Sequence, residues 1–264
     1  MAHAILSPSS ISRIIRCPAS ARPNAEAERT GSLAASRGTA IHEMVEALLK
    51  KRLEGITLSD YYLGQTQTVD GFSFEIEKDD IAMAEIYVDY INKRTEELNG
   101  KLLIEEKVYA NEIHDELWGT ADAIILGEGN RMVIADLKSG AWPVDVRFNE
   151  QLMTYALAAL SRYGNEDTVL ELTIIQPNKK AFHKEGQIRT WDIQAIDLVD
   201  WGFNILKPAC DEALGEEPSF NAGTWCKFCA YKSECQTFNQ KEDTNEWRSK
   251  KIRNIYFRRK WYGV

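Results

Sequence analysis

The stretch from Leu117 to Tyr155, LWGTADAIILGEGNRMVIADLKSGAWPVDVRFNEQLMTY, constrains this chain more than any other. It holds two short apolar runs separated by a glycine-containing break. Each run carries one acid where a core strand is normally apolar: Asp122 in TADAIIL and Asp136 in MVIADLK. A carboxylate buried without a partner loses its water at high cost, so a cation is expected between them. Lys138, two residues past Asp136, falls on the same face of its strand. Two acids and a lysine on one sheet face can hold a divalent metal and an attacking water against a phosphodiester.

This reading makes a demand on the hairpin. Directly opposed residues of an antiparallel pair share a face. If Gly129 centres an odd loop, 127–131 or 128–130, Asp122 stands opposite Asp136. A two-residue Glu128-Gly129 turn, the commoner choice, sends them to opposite faces. The site therefore predicts an odd loop.

Periodicity and breakers place the flanking elements. Residues 7–20 read as a short helix capped by Ser9 or Ser10 and stopped by Pro18, with Arg13 and Arg16 on one face toward phosphate or water. Residues 36–53 read as an amphipathic helix capped by Thr39 or Ser36. His42 lies beside its apolar stripe, and Glu46, one turn on, can reach the same point. A lone His in this position is more often a satisfied, partly buried ring than a ligand. Residues 54–77 read as loop and irregular strand, and 78–98 as a helix capped by Asp79 or Asp80 and stopped by Asn99-Gly100.

Strands are expected at 101–110, 118–127 and 131–138, then a helix at 147–163 with Gln151 and Tyr155 on a shared face. A doubly buried strand at 168–176 ends at Pro177, followed by a strand at 187–193 and a helix at 194–214. This order describes an α/β sandwich on a mixed sheet, one domain over 1–246.

A chain of 264 residues with 44% hydrophobic and 27% charged residues belongs to the soluble globular class. It has no apolar run of membrane-spanning length and no signal-type apolar segment, so a cytoplasmic location with no membrane partner is expected. The net charge of −8 argues against nonspecific coating of nucleic acid and leaves DNA binding open.

Five cysteines in a reducing compartment point away from a disulfide framework. Cys226, Cys229 and Cys235 have the density of metal ligands, with free core thiols as the alternative. A tetrahedral site needs a fourth ligand. Cys210 sits inside a predicted helix and suits packing; Cys17, before Pro18, is expected to be exposed enough to serve. Using Cys17 would clip the two chain ends together. Zinc and iron–sulfur both suit four thiolates, and spacing alone leans to zinc. The last segment, WRSKKIRNIYFRRKWYGV (247–264), interleaves seven Lys or Arg with aromatics. It reads either as a DNA-binding surface or as a solvated tail.

The motifs GTAIH (38–42), GTAD (119–122), DLK (136–138) and QLMTY (151–155) resemble, in order, those of the RecB-like branch of the PD-(D/E)xK nuclease superfamily. The segment SPSSISRIIRCP and the cysteine trio are similar to the split cysteine motif of its iron–sulfur members, which include AddB-type nuclease domains and CRISPR-associated adaptation nucleases. Chains of this length resemble the phage-encoded RecB-like nucleases of replication and recombination modules.

The resemblance implies a PD-(D/E)xK restriction-endonuclease-like core, αβββαβ with a central mixed sheet flanked by helices. It also implies a four-cysteine metal-cluster clip formed by 7–20 and 222–238. His42 and Asp122 would be ligands of Mg²⁺ or Mn²⁺, and Asp136 would bridge metal and scissile phosphate. Lys138 would orient the attacking water or offset developing charge, while Gln151 and Tyr155 would support Lys138 and the DNA. Cys17, Cys226, Cys229 and Cys235 would hold a [4Fe–4S] cluster, with Zn²⁺ as the alternative. Asp136 stands where many relatives have Glu, and the shorter side chain shifts the metal.

The implied activity is exonucleolytic hydrolysis of DNA from its ends in the host cytoplasm, beside a phage single-strand-binding or annealing protein. Two readings compete with it: a DNA-binding or scaffold protein that keeps the fold and the clip without catalysis, and a zinc-ribbon interaction module. Neither has a reason to retain the acid–acid–lysine set.

Overall fold

In a computed structural model that describes residues 4–27, 31–53 and 55–243, the two acid-bearing runs pair as an antiparallel hairpin. Helices come first: α1 (Pro8–Arg16), a 3-10 turn (Pro18–Ser20), α2 (Ala21–Glu26), α3 (Leu33–Leu49) and α4 (Leu58–Tyr62). A small hairpin, β1 (Thr66–Val69) and β2 (Phe72–Glu75), precedes α5 (Lys78–Glu97). Then come β3 (Lys101–Tyr109), β4 (Trp118–Gly127), β5 (Arg131–Leu137), α6 (Glu150–Tyr163), β6 (Val169–Ile175) and β7 (Ile188–Gln194). Helix α7 (Ala195–Trp201) runs through a π-helical turn (Gly202–Leu206) into α8 (Lys207–Leu214). A 3-10 turn (Thr224–Phe228) and α9 (Gln236–Asp243) follow.

The five-stranded sheet has the order β3-β4-β5-β6-β7. Its first three strands form an antiparallel meander, β6 runs parallel to β5 after the α6 crossover, and β7 returns antiparallel. One face, with Ile124, Ile134, Leu172 and Ile174, packs under α1, α6, α7 and α8. The other, with Ala123, Ala135, Leu137 and Ile175, packs under α3 and α5. The mixed α/β architecture follows the expected strand and helix order.

The β4–β5 loop is the odd one that the site requires. Gly127 pairs with Arg131, leaving residues 128–130 as the loop, and Gly129 and Asn130 take left-handed backbones at φ 68° and 57°. Such φ values suit Gly and Asn and close three-residue hairpins. The last β4–β5 pair is Ala123 with Ala135. Beyond it β4 continues with β3, and β5 with β6. The sheet therefore parts between β4 and β5, and Asp122 and Asp136 are the first residues past the split.

Several caps differ from expectation. Ser7, not Ser9 or Ser10, is the N-cap of α1, because Pro8 takes the first helical position, where its missing N–H costs nothing. Ser32, not Ser36 or Thr39, caps α3 and accepts the Ala35 amide at 3.2 Å. Glu77, not Asp79 or Asp80, caps α5, with Asp80 answering from its third position. Residues 54–77 hold α4 and the β1–β2 hairpin rather than loop and irregular strand alone. The segment 247–264 lies outside the described residues.

Candidate active site

Three elements carry the acids to the split. Helix α3 is set against α5 by Arg37, whose guanidinium pairs with Asp80 at 2.5 Å and with Glu77 at 3.3 Å. That placement brings His42 Nδ1 to 3.6 Å from Asp122 Oδ1. Gly119 lets α1 and α6 close over β4: a Cβ there would lie 2.8 Å from Pro8 Cδ and 3.1 Å from Tyr155 Cε1. The glycine of the GTAD motif is thus a packing requirement of the site.

Where the ladder stops, the Asp122 carboxylate takes over. Its Oδ2 accepts the Leu137 amide at 2.8 Å, pairing a main-chain donor that the split would leave without a partner. Burial, and then the nearby Asp136 charge, push the Asp122 carboxyl up to about 7, against the opposing pull of His42 and the Leu137 amide. Two carboxylates this close create a demand for a further cation.

Asp136 belongs to a second set. Lys138 Nζ lies 2.8 Å from Asp136 Oδ2 and donates to Gln151 Oε1 at 2.9 Å; Gln151 Nε2 donates to Asp136 Oδ1 at 3.1 Å. This buried oxygen is thus held by the Lys138 ammonium in an ion pair. Burial works to neutralise Lys138, but the Asp136 and Asp122 carboxylates outweigh it and hold its pKa above the ordinary lysine value. Lys138 is therefore an ammonium, suited to offsetting charge and unsuited to removing a proton. Tyr155 lies behind this set; burial, then Asp136 and Asp122, raise its phenol above the ordinary range, so it stays protonated.

Sequence reasoning missed Glu105. The β3–β4 ladder is intact on either side, Ile104 with Ala123 and Glu106 with Ala121, while Glu105 between them takes φ 51°. A left-handed backbone at a non-glycine residue costs about 1–3 kcal/mol and persists where its surroundings hold it. Among the described residues, His42, Glu105 and Asp122 form the one group of three or more ligand-type side chains whose ligand atoms all lie within 4.8 Å of one another. Asp136, which the resemblance set with His42 and Asp122, is not part of this group. Burial, opposed by His42, raises its pKa. Glu46 does not join His42, because it is held by Lys50 at 2.8 Å and Arg52 at 2.9 Å.

The cysteines gather at the other end of α1. Cys17, Cys226, Cys229 and Cys235 line one cavity, while Cys210 is buried in α8 with its thiol pushed up to about 12 by burial. Cys17 is itself buried, contrary to the exposure expected of it, because the chain after Ser219 packs over it: the Asn221 amide reaches its Sγ at 3.4 Å. Two more N–H groups point at sulfur, Gly223 to Cys226 at 3.4 Å and Asn24 Nδ2 to Cys229 at 3.2 Å. Arg13 Nε is buried beside these thiols without a hydrogen-bond acceptor among the described residues. Arg16, expected on the same free face, instead pairs with Glu150 at 2.7 Å.

A ring-and-cation cluster lies between the loop after Lys138 and the cysteine cavity. Trp142, in the loop after Lys138, is 73% exposed, and Phe228, between Cys226 and Cys229, is 75% exposed. Lys227 Nζ sits 4.1 Å from the Trp142 ring centroid and 5.1 Å from that of Phe228. The Trp142 carbonyl is fixed from below by Gln176 Nε2 at 2.8 Å, and Gln176 by the buried Arg189 at 2.8 Å. No helix among the described residues is long and apolar enough to cross a membrane.

A family model described as "Protein of unknown function (DUF2800)" matches residues 3–254. A solved structure described as "Crystal structure of SSO0001" is similar over 86% of this chain and 85% of that chain, at 13% sequence identity and a TM-score of 0.38.

Proposed function

We propose that this chain, which belongs to the DUF2800 family of proteins of unknown function, is a metal-dependent DNA nuclease on a PD-(D/E)xK core, acting as an exonuclease on DNA ends. The observation that carries the reading is the opening between β4 and β5, where Asp122 and Asp136 lie side by side with His42, Glu105 and Lys138 around them. A scaffold gains nothing from a buried and a half-buried carboxylate side by side at a break in its sheet.

The donor set fits Mg²⁺ or Mn²⁺. It is rich in oxygen, and the three grouped side chains are His42, Glu105 and Asp122. A metal bound there would act as a Lewis acid on the scissile phosphate and on the attacking water. The chain supplies the rest. Lys138 sets a fixed positive charge beside the phosphate, a contribution of about 10²–10³ in rate at comparable sites. Gln151 holds both Lys138 and Asp136 at their working positions. Trp142, Lys227 and Phe228 offer rings and a cation to nucleic acid.

The four thiols fit a [4Fe–4S] cluster better than one zinc. A tetrahedral zinc site with bonds near 2.3 Å needs sulfurs about 3.8 Å apart, yet no three of these thiols form a group with every Sγ within 4.8 Å. The N–H groups on Cys17, Cys226 and Cys229 are the kind that tune cluster sulfurs. Such a centre would cross-link the two ends of the chain.

The test is degradation of end-labelled linear DNA and of closed circles, single- and double-stranded, with Mg²⁺, Mn²⁺ or EDTA. Metal-dependent loss of linear DNA alone is expected. Cleavage of circles would make the enzyme an endonuclease, and no cleavage of any substrate would remove the nuclease reading.

A further inference from the structure

A cavity of about 370 Å³ lies between β7, the start of α6 and the π-helical turn that joins α7 to α8. That volume is in the range of small-molecule sites, roughly 300–1,000 Å³. The active-site chemistry does not use it. Its walls combine flat rings with both senses of hydrogen bonding: Phe148, Trp191 and Trp201 supply the rings, Arg147 a cation, and Asp197 and Asp200 acceptors.

Three local features mark it as a built site. Trp201 is buried and lines the cavity, yet its indole Nε1 has no hydrogen-bond acceptor among the described residues. Buried donors are rarely left in that state. Phe148 takes a left-handed backbone at φ 55°, unusual for a bulky side chain, and its ring meets Trp191 edge-on at 4.8 Å beneath the Arg147 guanidinium. The helix carrying Trp201 and Ile205 departs from α geometry over Gly202–Leu206, and π-helical turns gather at functional sites.

We infer that this cavity takes a nucleobase of the substrate strand next to the cleaved bond. A base stacks its planar face on Trp191 and meets Phe148, tilted 64° from it, edge-on; it offers an acceptor to Trp201 Nε1–H and donors to Asp197, whose carboxylate is unpaired among the described residues. Arg147 meets the attached phosphate. Phe148 precedes Gln151 by three residues, so their Cα atoms are at most about 10 Å apart. Gln151 in turn holds Lys138, so the cavity and Lys138 are both tied to the start of α6. The assignment rests on the nuclease reading for the strand's destination.

Calorimetry of the full chain in EDTA separates the two ideas, since it needs no catalytic metal. Deoxynucleoside monophosphates are expected to bind saturably, and 2-deoxyribose 5-phosphate, which lacks the base, is not. Trp201→Phe keeps the ring and removes the N–H; it should weaken binding about tenfold with an unchanged melting temperature. Arg147→Met should weaken the monophosphates and leave nucleosides unaffected.

On DNA, an abasic terminal residue should raise KM for the wild-type protein, and by a smaller factor for Trp201→Phe. Absence of nucleotide binding, or equal affinity in Trp201→Phe, overturns the site. Binding of free nucleotides with no effect of the abasic residue overturns its assignment to the strand. If nucleotides bind and no DNA is cut, the nuclease reading falls and the pocket stands; if DNA is cut and no nucleotide binds, the pocket alone falls.

Discussion

Asp122 Oδ2 accepts the Leu137 main-chain amide at 2.8 Å, so a carboxylate does the work of a sheet ladder where β4 and β5 separate. The same side chain faces His42 through its other oxygen. Asp122→Asn keeps an acceptor for the amide and removes the charge. The variant should fold, with a melting temperature equal to or a few degrees above that of the metal-free wild type, and should lose Mn²⁺-induced stabilisation. Thermal melts with and without Mn²⁺ read both effects.

The raised Asp122 carboxyl also sets a pH dependence. In the unfolded chain it releases its proton near the ordinary value of 3.8, and in the native state near 7. Between those values the native state holds the extra proton, so this group makes metal-free stability fall as pH rises, levelling off above about 7. A bound divalent cation competes with that proton. The rise in melting temperature caused by Mn²⁺ should therefore be small at about pH 5.5 and large at about pH 8. An equal rise at both would place the metal elsewhere.

Lys138→Ala should lower kcat by about 10²–10³ while the protein still folds, since Gln151 continues to hold Asp136. Gln151→Ala acts through its neighbours and should cost about 10- to 100-fold, mainly in kcat with KM little changed. Steady-state kinetics on a labelled oligonucleotide checks both.

The thiols should divide four to one. Cys17→Ser, like substitution at Cys226, Cys229 or Cys235, should abolish bound iron and lower the melting temperature. Cys210→Ala should leave the iron content unchanged, because that thiol is buried in α8 away from the shared cavity. Metal analysis after anaerobic purification decides, and zinc in place of iron would revise the cofactor without moving the site.

Much of this arrangement was legible in the sequence, for identifiable reasons. Turn chemistry alone favoured a two-residue Glu128-Gly129 turn; the odd loop, and so the shared face of Asp122 and Asp136, was required by the paired acids and is the one found. The shared face of Asp136 and Lys138 followed from a period of two residues, whereas the places of His42 and Gln151 beside them came with the resemblance to RecB-like nucleases.

Glu105 was not legible. Its place opposite Asp122 depends on the β3–β4 register, which an eight-residue connection, 110–117, leaves open in the sequence. Two adjacent acids in KLLIEEKVY were the only signal, and Glu106 answers it on the other side by pairing with Arg162 and Tyr163. Cys17 was misjudged because its burial comes from residues some 200 positions away, at Asn221.

The most direct measurement of the central claim is the rate of release of an end label from DNA by the wild-type protein and by Asp136→Asn, at equal concentration in Mn²⁺. Metal-dependent release by the wild type that falls at least about 10²-fold in Asp136→Asn is the outcome expected of a carboxylate at the reacting centre, the size of loss seen when a single stabilising group is removed. Equal rates in the two proteins, or no release by the wild type with its thiol site loaded, would contradict the account.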